Sequence, residues 1–277
     1  MDLFQAIILA AVQGITAWIP VSSKTQVILA ANALFATPFK TAVAFALLLH
    51  LGDLLAALWK YRVEYFGAIE KTLKQPLSLT KFSGVEKEDE KNFLVISIIA
   101  TAVLALPLYL LLRGAFSSLS GEPLLFAVGL LLIAMAAITF YTKKSVVQQA
   151  KISLKTSVLT GLAQALAVIP GISRSGTTQS ALLLQGVPPW QAVRLSFLMS
   201  APMIAAALSA FSIVEGFKDF PLQVIAAGIA VSAIFSLLTM NFIGKIAQKI
   251  PSHYFLAAIG LLAMVPMLLK LAFGVAG

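Results

Sequence analysis

Residues 167–186 read AVIPGISRSGTTQSALLLQG, a run of glycines and hydroxyls around Arg174 set inside an apolar stretch that spans 156–186. A second apolar stretch, 3–36, is interrupted in the same manner by PVSSKTQ at 20–26, with Lys24 as the cation. Proline, hydroxyls and a charge in mid-stretch do not belong to an ordinary spanning helix, because backbone left unpaired in hydrocarbon is costly. Such breaks are tolerated where the loose backbone is buried in protein or lines a wet cavity, so both segments read as re-entrant hairpins.

The remaining sequence supplies the membrane around them. Of 277 residues, 60% are hydrophobic and 11% charged, and the mean hydropathy is +0.95, whereas soluble domains carry about 25% charged residues. Stretches near 41–60, 92–112, 122–141, 190–212, 220–240 and 252–274 are mostly apolar, and each has the roughly 20 residues needed to cross a hydrocarbon core of about 30 Å. The expected fold is an all-α integral membrane protein with six transmembrane helices and two re-entrant hairpins. Cysteine is absent, which excludes disulfides, thiolate metal sites and a cysteine nucleophile. The opening MDLFQAIILAAVQG has no basic residue ahead of its apolar run, unlike a cleaved signal peptide, and reads as part of the fold.

The net charge of +9 does not point to nucleic acid, because the cations follow topology. Short cytoplasmic loops collect lysine and arginine. Of the 20 cations, thirteen fall near three loops at 61–91, 142–155 and 241–251, while Lys40, Arg113, Lys218 and Lys270 fall on the other side. This bias works if each hairpin returns to the face it entered, which makes the chain an inverted-topology repeat of 1–141 and 142–277. Spacing agrees: Pro20 precedes Phe45 of FALLLHLG by 25 residues, and Pro170 precedes Phe197 of LSFLMSAP by 27. Inverted repeats place their site near the midplane where the halves meet, so the two breaks predict one composite site. The 61–91 stretch, with its mixture of Lys and Glu, reads as a solvated cytoplasmic loop.

An arginine at membrane depth requires a partner, and its planar fork suits phosphate or carboxylate. Around Arg174, Gly171 and Gly176 allow backbone amides to approach an anion, and Ser173, Ser175, Thr177 and Thr178 add donors. The alternative is an arginine that caps helix-end carbonyls. Lys24 has Ser22, Ser23, Thr25 and Gln26 around it, and its alternative is to snorkel to the interface. Two cations and their hydroxyls in one cavity fit a diphosphate better than a single carboxylate. Asp53, the only acid inside an expected span, lies three residues after His50 on one helix face. The two read either as a base or metal site or as a structural ion pair with each other or Lys24.

The motifs GITAWIPVSSKTQ at 14–26 and AVIPGISRSGTTQSALLLQG at 167–186, followed by FALLLHLG and LSFLMSAP, resemble the undecaprenyl-diphosphate phosphatase family of membrane lipid phosphatases over nearly the whole chain. The resemblance implies a plasma-membrane enzyme that releases phosphate from a polyprenyl diphosphate, with a divalent cation such as Mg²⁺ or Ca²⁺ as cofactor, membrane lipid as surroundings and a homo-oligomer as a further possibility. It assigns Arg174 to phosphate binding, Ser23 to the nucleophile or a phosphate-handling hydroxyl, and Ser173 and Thr178 to the same site. The family's first motif, E-G-x-T-E-F-x-P-V-S-S-T-G-H, has Gln13, Ala17 and Gln26 here at its two glutamates and its histidine, and the S-S-K-T-Q form is similar to archaeal members with a dolichyl-type carrier. Gln13 and Gln26 still hydrogen-bond phosphate or metal-bound water but exchange no proton at neutral pH. Ala17 contributes no chemistry. That loss keeps open a disabled phosphatase, a polyprenyl-phosphate transporter or flippase on the same scaffold and, more remotely, a small-anion channel.

Overall fold

The computed structural model describes residues 1–76, 80–84, 86–112, 122–142, 151–169, 172–214 and 220–273. Among them the regular structure is entirely helical. Helices α1 (Leu3–Thr16) and α2 (Ser23–Phe35) flank the first break, and α3 (Phe39–Lys60), α4 (Arg62–Lys74), α5 (Glu86–Leu112) and α6 (Glu122–Thr142) follow. Helices α7 (Leu154–Ala165) and α8 (Arg174–Leu184) flank the second, and α9 (Pro189–Leu198), α10 (Ser200–Val214), α11 (Leu222–Lys249) and α12 (Ser252–Phe273) complete the chain.

Among the described residues, five stretches are long and apolar enough to cross a membrane: Phe39–Lys60, Glu88–Leu111, Pro189–Ser209, Leu222–Lys249 and Ser252–Ala272. They coincide with five of the six expected spans. The sixth, 122–141, is helical as α6, within which Phe126–Ala137 forms a shorter apolar stretch. By contrast α1, α2, α7 and α8 have 14, 13, 12 and 11 residues. At 1.5 Å per residue none exceeds about 21 Å, too short to cross alone. α1 packs on α2, and α7 on α8.

Lipid tails are as apolar as leucine, so helices in a bilayer associate through close packing at small residues. α1 lies on α11 and α3 on the same helix, and both contacts depend on glycine. A Cβ on Gly14 would sit 2.6 Å from the Ser232 carbonyl oxygen, and one on Gly52 would sit 2.6 Å from that of Ile229. α7 lies on α5 in the same way, since a Cβ on Gly161 would collide with the Ser97 carbonyl oxygen. Trp18 and Phe197 meet edge to face at 5.0 Å in one apolar cluster. Phe45, Leu48 and Leu49 centre another, between α1, α2 and α3.

The 61–91 stretch corrects the sequence reading of a solvated loop. Its first part is α4, which exposes Val63, Phe66, Ile69 and Leu73. A helix with an apolar stripe beside Arg62, Lys71 and Lys74 suits the membrane surface. The Arg62 guanidinium stacks 5.0 Å from the Trp59 ring. Further on, Asp89 and Glu90 are buried. Asp89 accepts from the backbone N–H groups of Ser83 and Gly84, each at 2.9 Å. Glu90 accepts from Arg194 Nε at 2.7 Å, while Arg194 Nη2 donates to Glu64 at 2.8 Å. Glu64 and Glu90 tie the stretch to α9, while Asp89 closes a turn within it, which a composition reading cannot distinguish from solvation.

Gly161→Val is therefore expected to destabilise the fold by about 1–3 kcal/mol through overpacking. Gly244→Ala, on an open face of α11 with nothing within 4 Å, is the control. Thermal unfolding in detergent reads both, and equal midpoints would contradict the glycine-mediated packing.

Candidate active site at the two broken segments

The break before α2 ends at Ser22, whose φ of 57° and ψ of 81° place a non-glycine residue in the left-handed region, a conformation that costs on the order of 1–3 kcal/mol and clusters at functional sites. Its side chain does not cap α2 but pairs with Thr25 Oγ1 at 3.0 Å. The first-turn N–H groups of α2 are thus offered outward, where a helix start favours an anion. Gln26 Nε2 donates to the Val21 carbonyl at 3.2 Å and so pins the loop. The half-buried Lys24 ammonium makes no hydrogen bond or ion pair with any described residue.

The second break packs directly on the first. Ser175 Oγ donates to the Ile19 carbonyl at 2.9 Å, and Gln179 Nε2 donates to that of Trp18 at 3.2 Å. A Cβ on Gly176 would meet Pro20 at 3.0 Å. The Arg174 guanidinium lies 5.4 Å over the Trp18 ring, and Nη1 donates to the Ser196 carbonyl at 3.3 Å. The expected meeting of the two segments is present in the fold. Several hydroxyls nevertheless serve the hairpin itself. Ser173 caps α8 by accepting from Gly176 N–H at 3.2 Å, Thr177 donates to the Ser173 carbonyl at 2.8 Å, and Thr178 pairs with Ser196 Oγ at 2.5 Å. A hydroxyl has one hydrogen, so Ser175 and Thr177 have none left for a phosphate in this arrangement. Pro170 and Gly171 lie outside the described residues.

Behind Ser23 is a fully buried polar chain. Gln13 Nε2 donates to Ser23 Oγ at 3.2 Å and to Asp53 Oδ2 at 2.6 Å. Asp53 Oδ1 accepts from Ser236 Oγ at 2.5 Å and lies 3.1 Å from Ser232 Oγ, whose single hydrogen is shared with the Leu49 carbonyl at 3.0 Å. His50 Nδ1 pairs with the Ala46 carbonyl at 2.7 Å, which makes it the protonated nitrogen and leaves Nε2 as a free acceptor. Neither His50 nor Lys24 forms an ion pair with Asp53; the carboxylate is satisfied by neutral donors instead. All the same, His50 lies within electrostatic range of Asp53, Lys24 and Arg174, so the charged groups of both breaks and of α3 share one region. Ala17 is packed in the apolar cluster beside Trp18. Trp18, Ser196, Ser232 and Ser236 were not singled out in the sequence. Only the i, i+4 spacing of the last two, inside an otherwise apolar span, was there to be read.

The donor set does not fit a divalent ion held by the protein. Among the described residues no three His, Asp or Glu side chains converge. The Asp53 carboxylate already accepts three hydrogen bonds, leaving His50 as one open ligand.

The model of the family described as bacitracin resistance protein BacA matches residues 6–265. Among similar proteins, one named undecaprenyl-diphosphatase in Methanopyrus kandleri is 30% identical over 275 residues, 98% of each chain. A protein of that name in Haloarcula marismortui is 35% identical over 248 residues, covering 89% of this chain and 90% of its own. Another in Methanococcoides burtonii is 33% identical over 276 residues, covering 97% and 100% respectively. With a family model spanning both breaks and relatives matched over nearly their full lengths, the chain belongs to the BacA family.

Proposed function

We propose that the chain is a polyprenyl-diphosphate phosphatase that releases inorganic phosphate from an undecaprenyl- or dolichyl-type carrier in the cell membrane. The observation that carries this reading is the pair of intramembrane cations, Lys24 and Arg174, neither of them ion-paired with a carboxylate among the described residues, in the region of Ser23. Charge in hydrocarbon requires a counter-ion, and a diphosphate head group supplies more than one. The names of the relatives supply the substrate class.

In the proposed reaction the first-turn amides of α2, Lys24 and the free N–H groups of Arg174 hold the phosphate oxygens and neutralise charge on the transferred group. Ser23 Oγ attacks the terminal phosphorus. The bond from that phosphorus to the bridging oxygen breaks, and the polyprenyl monophosphate leaves with the electron pair. The Ser23 hydrogen, unclaimed within the protein, passes to a phosphate oxygen, and water then releases phosphate from the serine. A divalent cation would enter with the diphosphate, and no step here runs through it. Nothing in the geometry or the comparisons favours transport over hydrolysis.

The proposed architecture is six spans and two re-entrant hairpins in inverted repeats 1–141 and 142–277, with the stretches 61–91, 142–155 and 241–251 on the cytoplasmic side. It is supported by the matched packing of α1 on α11 and α7 on α5, each at a glycine, Gly14 and Gly161.

Phosphate release from undecaprenyl diphosphate by the purified protein tests the function. Arg174→Ala and Ser23→Ala should each lower turnover by at least about 10²-fold, with Ser23→Ala retaining lipid binding. An unchanged chain that binds the lipid and releases no phosphate would end the phosphatase reading.

A further inference from the structure

The two hydrogens of the Gln13 amide are divided between Asp53 Oδ2 at 2.6 Å and Ser23 Oγ at 3.2 Å. A carboxylate only accepts, so the amide is oriented by its neighbour: reversed, its own oxygen would face the carboxylate. Asp53 is fixed in turn, because Ser232 and Ser236 on α11 hold Oδ1 at 3.1 and 2.5 Å. Gln13 and Asp53 are both 0% exposed; both hydrogens of the Gln13 NH₂ are matched, while its oxygen has no hydrogen-bond partner among the described residues. Four helices thus converge on one oxygen. α11 holds the carboxylate of α3, the carboxylate holds the amide of α1, and the amide holds Ser23 at the first residue of α2. The amide occupies one lone pair of Ser23 Oγ as a donor. The other lone pair is left for phosphorus, and the hydroxyl hydrogen cannot go to Gln13 Nε2.

We propose that Asp53 is a positioning residue that acts through Gln13 to hold the oxygen of Ser23 for attack on the diphosphate, rather than a base or a metal ligand. This rests on the phosphatase reading above. It has a specific consequence: if Asp53 acts only through Gln13, removing either residue breaks the same link, and removing both costs no more than removing one.

The test is phosphate release from undecaprenyl diphosphate as a function of lipid concentration, with thermal unfolding of every variant. Asp53→Asn alone should lower kcat by roughly 10²-fold, the scale of a misplaced reacting group, with KM changed by less than about threefold. Gln13→Leu should lower kcat to a similar extent, and Gln13→Leu/Asp53→Asn should be no slower than the slower single variant. An unchanged kcat in Asp53→Asn, a change confined to KM, or a double variant that unfolds like the unchanged chain yet multiplies the two single losses, would each overturn the inference. If Asp53→Asn does not fold, Ser232→Ala/Ser236→Ala carries the test, because it frees the carboxylate while keeping it. There kcat should fall with KM retained, and an unchanged kcat would overturn the proposal. Failure of the unchanged chain to release phosphate would instead overturn the phosphatase reading, and this inference with it.

Discussion

Arg174 and Lys24 lie in apolar surroundings without an ion-paired carboxylate, and much of the architecture follows from holding them there. Isolated charge at membrane depth costs several kcal/mol or more, and the chain meets that cost with local devices. Arg174 lies over the Trp18 face and reaches the Ser196 carbonyl. Lys24 sits in the first turn of a helix whose free amides already favour an anion, so the two features reinforce one another in waiting for the same ligand. The breaks in the helices are what allow these groups to stand at that depth.

Asp53, the buried acid of α3, is kept apart from these cations by chemistry as well as by place. Asp53 takes its hydrogen bonds from an amide and two hydroxyls, so its charge is distributed into α1 and α11 instead of quenching Arg174 or Lys24. The resemblance places glutamates at positions 13 and 17. Here the carboxylate stands on α3 and reaches Ser23 through the amide that replaced the first of them. α3 thus brings a carboxylate next to the amide that α1 carries at position 13.

Much of this was legible in the sequence, and the rest was hidden for identifiable reasons. Pro20, Pro170 and the cations beside them mark breaks because helical periodicity and hydropathy fail together there. The spans followed from length alone. The partners of Asp53 were not legible, since serines 232 and 236 in an apolar run look like ordinary small residues until α3 is laid against them. Nor could sequence tell which hydroxyls face the ligand. Ser175 and Thr177 share a motif with Arg174, yet their hydrogens go to backbone carbonyls, a matter of rotamer and not of composition. The acids at 89 and 90 read as solvated because mixed charge resembles a loop whether or not an arginine from α9 reaches it.

Gly52 and Asp53 are adjacent, and their adjacency joins two properties that most proteins keep separate. Gly52 sets how closely α3 approaches α11, with room for no Cβ before the Ile229 carbonyl. Asp53 converts that same approach into hydrogen bonds with Ser232 and Ser236. A substitution that pushes these helices apart by less than an ångström would leave the bundle folded and the lipid bound, yet it would slacken the hold on Ser23. On the proposed mechanism, packing at this crossing and the rate of phosphate release would change together.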